Sequence, residues 1–148
     1  CSSDLVIPAL TKFTHLLRER AGKKKSRGFS YLIADPESKS PCKRLNMFLR
    51  WTVRKDGVDP GPWEKIGAER LIIPLDTHLI RLCRILCLHK SNNPTLKTAR
   101  EVTEQFALIC PEDPVKYDFA LSRIGIVENC NGSGCTYCGT CELKSYCG

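Results

Sequence analysis

The chain has 148 residues, a formal charge of +7, 42% hydrophobic and 26% charged residues. That composition is globular and excludes wholesale disorder, collagen-like and mucin-like chains. No run of about 18 apolar residues exists, so a transmembrane helix is not expected, and the length suits one hydrophobic core.

In chain order the apolar periodicity predicts mostly helices. Leu5 to Arg20 places Leu10, Phe13, Leu16 and Leu17 at helical spacing. Ala21 to Arg27 reads as a basic linker, and Gly28 to Cys42 as irregular, because Pro36 and Pro41 disfavour helix at the residues before them. Lys43 to Arg54 repeats apolar groups at Leu45, Phe48, Leu49 and Thr52, which places Arg44, Arg50 and Arg54 largely elsewhere on the wheel and Trp51 among the apolar groups. Asp56 to Trp63, with Gly57, Pro60, Gly61 and Pro62, reads as a loop. A short apolar run, Leu71 to Leu75, precedes a helix over Thr77 to Leu88 that starts on a polar cap signal. Asn92, Asn93 and Pro94 open a further helix, stopped by Pro111. Asp113-Pro114 resembles an N-cap followed by proline at the first helical position, opening a helix through about Ile124. No useful β-alternation appears, so the expected class is all-α.

Charge and cysteine are both asymmetric. Residues 1–100 carry a net +11 and residues 101–148 a net −4. Six basic groups and no acidic one lie between Ser38 and Lys55. One-sided positive charge is the footprint of a polyanion binder, although a solvated basic face gives the same count. Five of the ten cysteines, Cys130, Cys135, Cys138, Cys141 and Cys147, fall in the last 19 residues. Thiolate-only ligation suits an iron–sulfur cluster or zinc, and a tail without metal is the plain alternative. Omitting Cys135 leaves C-x7-C-x2-C-x5-C. Keeping Cys135, Cys138 and Cys141 gives C-x2-C-x2-C. Cys83 and Cys87, at i and i+4 among leucines, read as buried core thiols.

The segment Ile72-IPLDTHLIRLCRILCL resembles the part of endonuclease III-like helix-hairpin-helix DNA glycosylases that carries their acidic catalytic residue. The family's cysteine loop, C-x6-C-x2-C-x5-C, is also similar to this tail, which has one extra residue in the first interval. The resemblance covers about residues 40–147 and is nearest to an uncharacterised bacterial branch, through PCKRLNMFLRW, VRKDGVDPG, LIIPLDTH and PEDPVKYDFAL. It implies a helix-hairpin-helix-like domain at residues 38–126, preceded by an N-terminal helix and basic linker at 1–37 and followed by an iron–sulfur loop at 127–148. It also implies either a C-terminal half or a reduced barrel, since far more barrel residues normally precede the hairpin; the opening Cys1 in place of Met fits a fragment or a processed product.

By the same resemblance Asp76 is the carboxylate that stabilises an oxocarbenium-like sugar, and Lys43, 33 residues earlier, is the candidate Schiff-base nucleophile. The residue types alone also read Asp76 as a helix N-cap and Lys43 as a phosphate-binding lysine. Lys39, Arg44, Thr77, His78 and Arg81 are the candidate DNA contacts, and Trp51 or Trp63 a possible stacking platform. The family hairpin usually reads L-P-G-V-G, where this chain has Ser38-Lys-Ser-Pro-Cys42. The implied ligands of a 4Fe-4S cluster are Cys130, Cys138, Cys141 and Cys147, with Cys135 in reserve and zinc as the alternative metal. The implied partner is double-stranded DNA with damaged bases or abasic sites. The protein is expected to be a cytoplasmic, nucleoid-associated monomer. The competing reading is a non-catalytic DNA-binding iron–sulfur module or an inactive relative.

Overall fold

The computed structural model describes residues 6–22, 26–38, 40–132 and 134–147. They form six α-helices: α1 (Val6–Arg20), α2 (Arg27–Leu32), α3 (Lys43–Val53), α4 (Thr77–Ile85), α5 (Leu96–Ile109) and α6 (Asp118–Val127). One 3-10 turn, Ala68–Arg70, lies between α3 and α4 and two more follow α6, and no strand occurs among the described residues beyond one isolated bridge, Lys55 to Pro60. The class is all-α, and among the described residues no helix is long and apolar enough to cross a membrane.

The core runs along the middle of the chain. Leu45 and Val53 of α3, Leu79, Leu82 and Cys83 of α4, and Ala99, Val102 and Phe106 of α5 are buried together with Leu10 of α1. The run Leu71, Ile72, Ile73, Leu75 is almost wholly inaccessible yet not helical. A buried extended segment must satisfy its own amides. Thr103 does part of this: its hydroxyl accepts the Ile73 N–H at 3.0 Å. This apolar run pins the chain so that Asp76 emerges at the rim of the core, at the first turn of α4. Helix α4 packs against α6. Gly125 permits that approach, since a Cβ there would stand 3.1 Å from the His78 Cβ and 3.2 Å from Leu82 Cδ1.

Four expectations need correction. A six-residue helix, α2, lies within the span read as irregular, with the Ser26 hydroxyl accepting the Phe29 N–H. Helix α4 stops at Ile85 instead of Leu88. Cys87 takes a left-handed backbone (φ 57°), and the Leu88 N–H bonds the Cys83 carbonyl at 2.8 Å, which closes the helix in the manner of a Schellman cap. Cys87 is therefore exposed, while Cys83 is buried as expected. Helix α6 starts at Asp118, because the Asp113 carboxylate accepts from Arg54 Nε at 2.7 Å and residues 111–117 wind into turns.

The fourth correction concerns the face of α3. Arg50 and Arg54 are buried, whereas Trp51 and Phe48 are half-exposed. Asp59 accounts for this. One of its oxygens accepts from Arg50 Nε at 3.0 Å and from Arg54 Nη1 at 2.8 Å. Arg50 also pairs with Asp118 of α6, and Arg54 with Asp56. Two guanidinium groups inside the protein are thus matched by carboxylates from three other segments.

Candidate active site and cysteine tail

Helix α3 begins without a side-chain cap. Cys42, its N-cap residue, adopts φ 51°, ψ 33°, a left-handed conformation costing about 1–2 kcal/mol for a residue other than glycine. The turn is held by its neighbours. The Asn46 amide donates to the Pro41 carbonyl at 3.2 Å, and the Ser40 hydroxyl accepts the Cys42 N–H at 3.3 Å. This turn sets Lys43 as the first residue of α3.

The fold brings Lys43 and Asp76 together. Lys43 Nζ donates to Asp76 Oδ2 at 2.8 Å, with side-chain exposures of 41% and 15%. The other carboxylate oxygen, Oδ1, accepts the N–H groups of His78 and Leu79 at 3.0 and 2.8 Å. Asp76 is therefore an N-cap and an ion-pair partner at once. Burial pushes its carboxyl upward, but the Leu79 N–H, the Lys43 ammonium and the His78 N–H outweigh that, and the net shift is below the ordinary value. The carboxylate is ionised at neutral pH.

The two cysteines near this pair are inert by comparison. Burial pushes the Cys83 thiol up to about 12, with the charge of Asp76 adding to it. Burial, then the charge of Asp35, raises Cys42 to about 11, against a hydrogen bond with Ser40. Neither forms a thiolate near neutral pH. The reactive groups of this junction are the amine and the carboxylate.

The candidate DNA contacts divide. Thr77 is exposed beside Asp76. Arg44 is exposed and its guanidinium carbon lies over the Tyr31 ring, 3.8 Å from its centroid. His78 and Arg81 are half-buried instead, on the side of α4 that faces α6. His78 Nδ1 is buried without a partner, and Arg81 Nη2 donates to the Gly125 carbonyl at 3.4 Å. Lys39 lies outside the described residues. Trp63 is half-exposed in its loop and meets Phe48 edge-on, with centroids 5.7 Å apart.

The tail folds back on the end of α4. Gly132 (φ 85°) sits so close to Ile85 that a Cβ would lie 2.9 Å from its side chain. Cys130 is buried, and Cys135 and Leu143 pack against the core. The five thiols are free. Cys135 and Cys138 face each other with Sγ atoms 3.3 Å apart, and Cys130 also hydrogen-bonds Cys135. The Cys138 thiol, hydrogen-bonded to Cys135, holds Cys135 below the ordinary thiol value and is itself raised by that bond. The donor set is all sulfur, the chemistry of an iron–sulfur or structural zinc site.

One grouping escaped the sequence. The ligand-type atoms of His15, Asp35 and Glu37 lie within 4.8 Å of one another on the surface. They come from α1 and a turn some 20 residues later, so no local spacing signals them. Arg18 stands 3.6 Å from the same Asp35 oxygen that faces His15, and supplies part of the balancing charge.

No curated protein and no solved structure matches this chain. The model of one family, described as Protein of unknown function (DUF2400), matches residues 2–127 and so takes in Lys43, Asp76 and the whole helical body, stopping short of the cysteine tail. The chain belongs to that family.

Proposed function

We propose that the chain acts on DNA as a base-excision glycosylase with abasic-site lyase activity, with Lys43 as nucleophile and Asp76 as the stabilising carboxylate. The observation that carries this reading is the 2.8 Å contact between two groups 33 residues apart in sequence, at the open end of a basic helix. On a base-bearing nucleotide, Lys43 loses a proton to solvent and its amine attacks C1′ as the C1′–N bond breaks, the base leaving with the bond pair and taking up a proton. Asp76 lies beside the developing positive charge on the sugar. The C1′–O4′ bond then breaks, O4′ takes up a proton and Nζ gives one up, which leaves an imine between Nζ and C1′. That imine makes the C2′ proton acidic, and its removal expels the 3′ phosphate. The target nucleotide has to leave the duplex, since C1′ is inaccessible within it.

Four of Cys130, Cys135, Cys138, Cys141 and Cys147 would hold a 4Fe-4S cluster, or zinc, as a brace for the loop behind α4. The group's contribution there is structural. Its residues lie on the α4 end distant from Asp76, since Gly132 meets Ile85, two turns past the cap.

Borohydride trapping on an abasic-site duplex tests the lyase step. Wild type forms a covalent adduct and Lys43→Ala does not. Absence of an adduct with wild type rejects the lyase step, and absence of base release across a lesion panel rejects the glycosylase as well.

A second reading is a non-catalytic DNA-binding module. It is favoured by the complete use of the Asp76 carboxylate in capping and pairing, which leaves no oxygen unexplained. In that case Asp76→Asn, which keeps a capping oxygen, leaves duplex binding unchanged and no base is released.

A further inference from the structure

The exposed side of α3 carries planar groups at helical spacing. Arg44, Phe48 and Trp51 stand at i, i+4 and i+7, so they form one stripe over about 10 Å of helix. The stripe extends beyond the helix at both ends. Arg44 lies over Tyr31 of α2 at 3.8 Å, and Trp63 meets Phe48 at 5.7 Å. Phe48, Trp51 and Trp63 keep 43%, 46% and 43% of their surfaces in solvent. Large aromatic faces left open in a row on a body with a well-filled core are unusual, because their burial would be favourable.

The placement of charge says what covers them. Lys43, Arg44 and Lys55 accompany the stripe along α3 and its exit, and the segment from Ser38 to Lys55 has no acidic residue. Glu64, next to Trp63, is followed at once by Lys65. Aromatic faces interleaved with cations match a strand whose bases are free to stack and whose phosphates need neutralising. A paired duplex has its base faces occupied and gains little from such a surface.

We propose that the stripe Tyr31–Arg44–Phe48–Trp51–Trp63 is a binding platform for the unpaired nucleotides of a single nucleic-acid strand. Arg44 in the stripe is the sequence neighbour of Lys43 at the start of α3, so this end of the platform adjoins the Lys43–Asp76 pair. This deepens the DNA reading above and rests on it for the biological substrate, but the binding itself needs neither Lys43 nor Asp76 as a chemical group.

Both tryptophans of the chain lie in the stripe, so intrinsic fluorescence reports directly on occupancy. The test is a titration of the full chain with an oligothymidylate of about ten nucleotides at low salt, beside a blunt duplex of equal length. Tryptophan emission is quenched by the single strand. Trp51→Ala weakens that binding about fivefold or more, Phe48→Ala weakens it in the same direction, and Trp51→Phe restores most of it, while duplex affinity changes less than twofold. Wild-type emission that does not respond to oligothymidylate overturns the proposal, and so does an equal loss for duplex. If Trp51→Ala instead lowers self-association in sedimentation and leaves oligothymidylate binding intact, the stripe is a protein contact and the proposal falls. The chemistry is separable. Quenching without a borohydride adduct keeps the platform and rejects the lyase, and an adduct without quenching does the reverse.

Discussion

The two ends of helix α3 hold their charges differently. At its start, Lys43 reaches Asp76 across a half-open junction, and the amine keeps access to solvent. Toward its end, Arg50 and Arg54 are buried against Asp59, Asp113 and Asp118, where nothing from outside can reach them. Both join α3 to carboxylates of other segments, and they differ in exposure. A buried pair must stay complete, since removing one partner strands a charge in a poor solvent. An open pair is held loosely by water and salt, so its members can be exchanged for a ligand. The buried end is thus a structural lock, and the open end is where a ligand can reach the pair.

The largest expected effect breaks the lock. Asp59→Ala leaves both guanidinium groups short of their shared acceptor and costs about 3–5 kcal/mol. Urea unfolding will measure this as a lowered midpoint or as loss of the folded state. A cost below about 1 kcal/mol would mean that water enters the network, and the contrast between the two ends would fail.

The second prediction concerns pH. Burial raises the Asp118 carboxyl from 3.8 to about 6, against the pull of Arg50, with the charge of Asp59 adding to the rise. An acid with a raised folded-state pKa stabilises the protein below its unfolded value, and that stability is lost as pH rises through the folded value. Asp118 therefore contributes a fall of about 3 kcal/mol in stability between pH 3.8 and about 6. Asp76, shifted the other way, contributes stability above its ordinary range that is lost as pH falls. Denaturant midpoints across this window should rise more steeply with pH in Asp118→Asn than in wild type. An unchanged slope would show that Asp118 titrates normally.

Gly61 connects the lock to its loop. Its φ is 51°, and a Cβ would stand 2.7 Å from the Arg54 carbonyl oxygen, a backbone atom that cannot step aside. Gly61→Ala should cost about 2 kcal/mol by displacing the loop that presents Asp59. Thermal unfolding of that variant tests whether the loop is rigid.

The same contrast governs what could be read from sequence. Helices α4 and α5 were legible from apolar spacing, since each buries a stripe of ordinary hydrophobic residues, whereas α1 was legible as a helix but buries only Leu10 of its apolar stripe and leaves Phe13 and Leu16 exposed. The orientation of α3 was not legible. Its wheel puts Arg44, Arg50 and Arg54 outside and Trp51 inside; Arg44 is exposed, but Arg50 and Arg54 are buried because Asp59, in the loop that follows, and Asp118, remote in sequence, make burying them favourable. Tertiary partners of a charge leave no periodic trace. The start of α6 was misplaced for the same reason, as Asp113 serves Arg54 instead of a helix end. The Lys43–Asp76 contact was anticipated as a pair of roles through a family resemblance. Nothing in local spacing shows that the two groups touch.

At the open end the effects on stability are small. Asp76→Ala removes a cap with two N–H bonds as well as the partner of Lys43, and should cost about 1–2 kcal/mol. Asp76→Asn keeps the capping oxygen and should cost less, so the difference between the two variants in chemical unfolding isolates the cap.

Lys43→Met gives the smallest change in stability and the sharpest division between the two ends. Its ammonium is partly solvated, so the lost pair is worth at most about 1 kcal/mol, and the methionine stem still covers the start of α3. Asp76 does not become a stranded buried charge, because the His78 and Leu79 N–H groups continue to hold it. Unfolding midpoints of Lys43→Met and wild type should therefore nearly coincide, and adduct formation with an abasic duplex should vanish. A large loss of stability would place Lys43 with Arg50 and Arg54 as part of the lock. The open end of α3 would then be structural too, and the chemistry would have to be sought elsewhere.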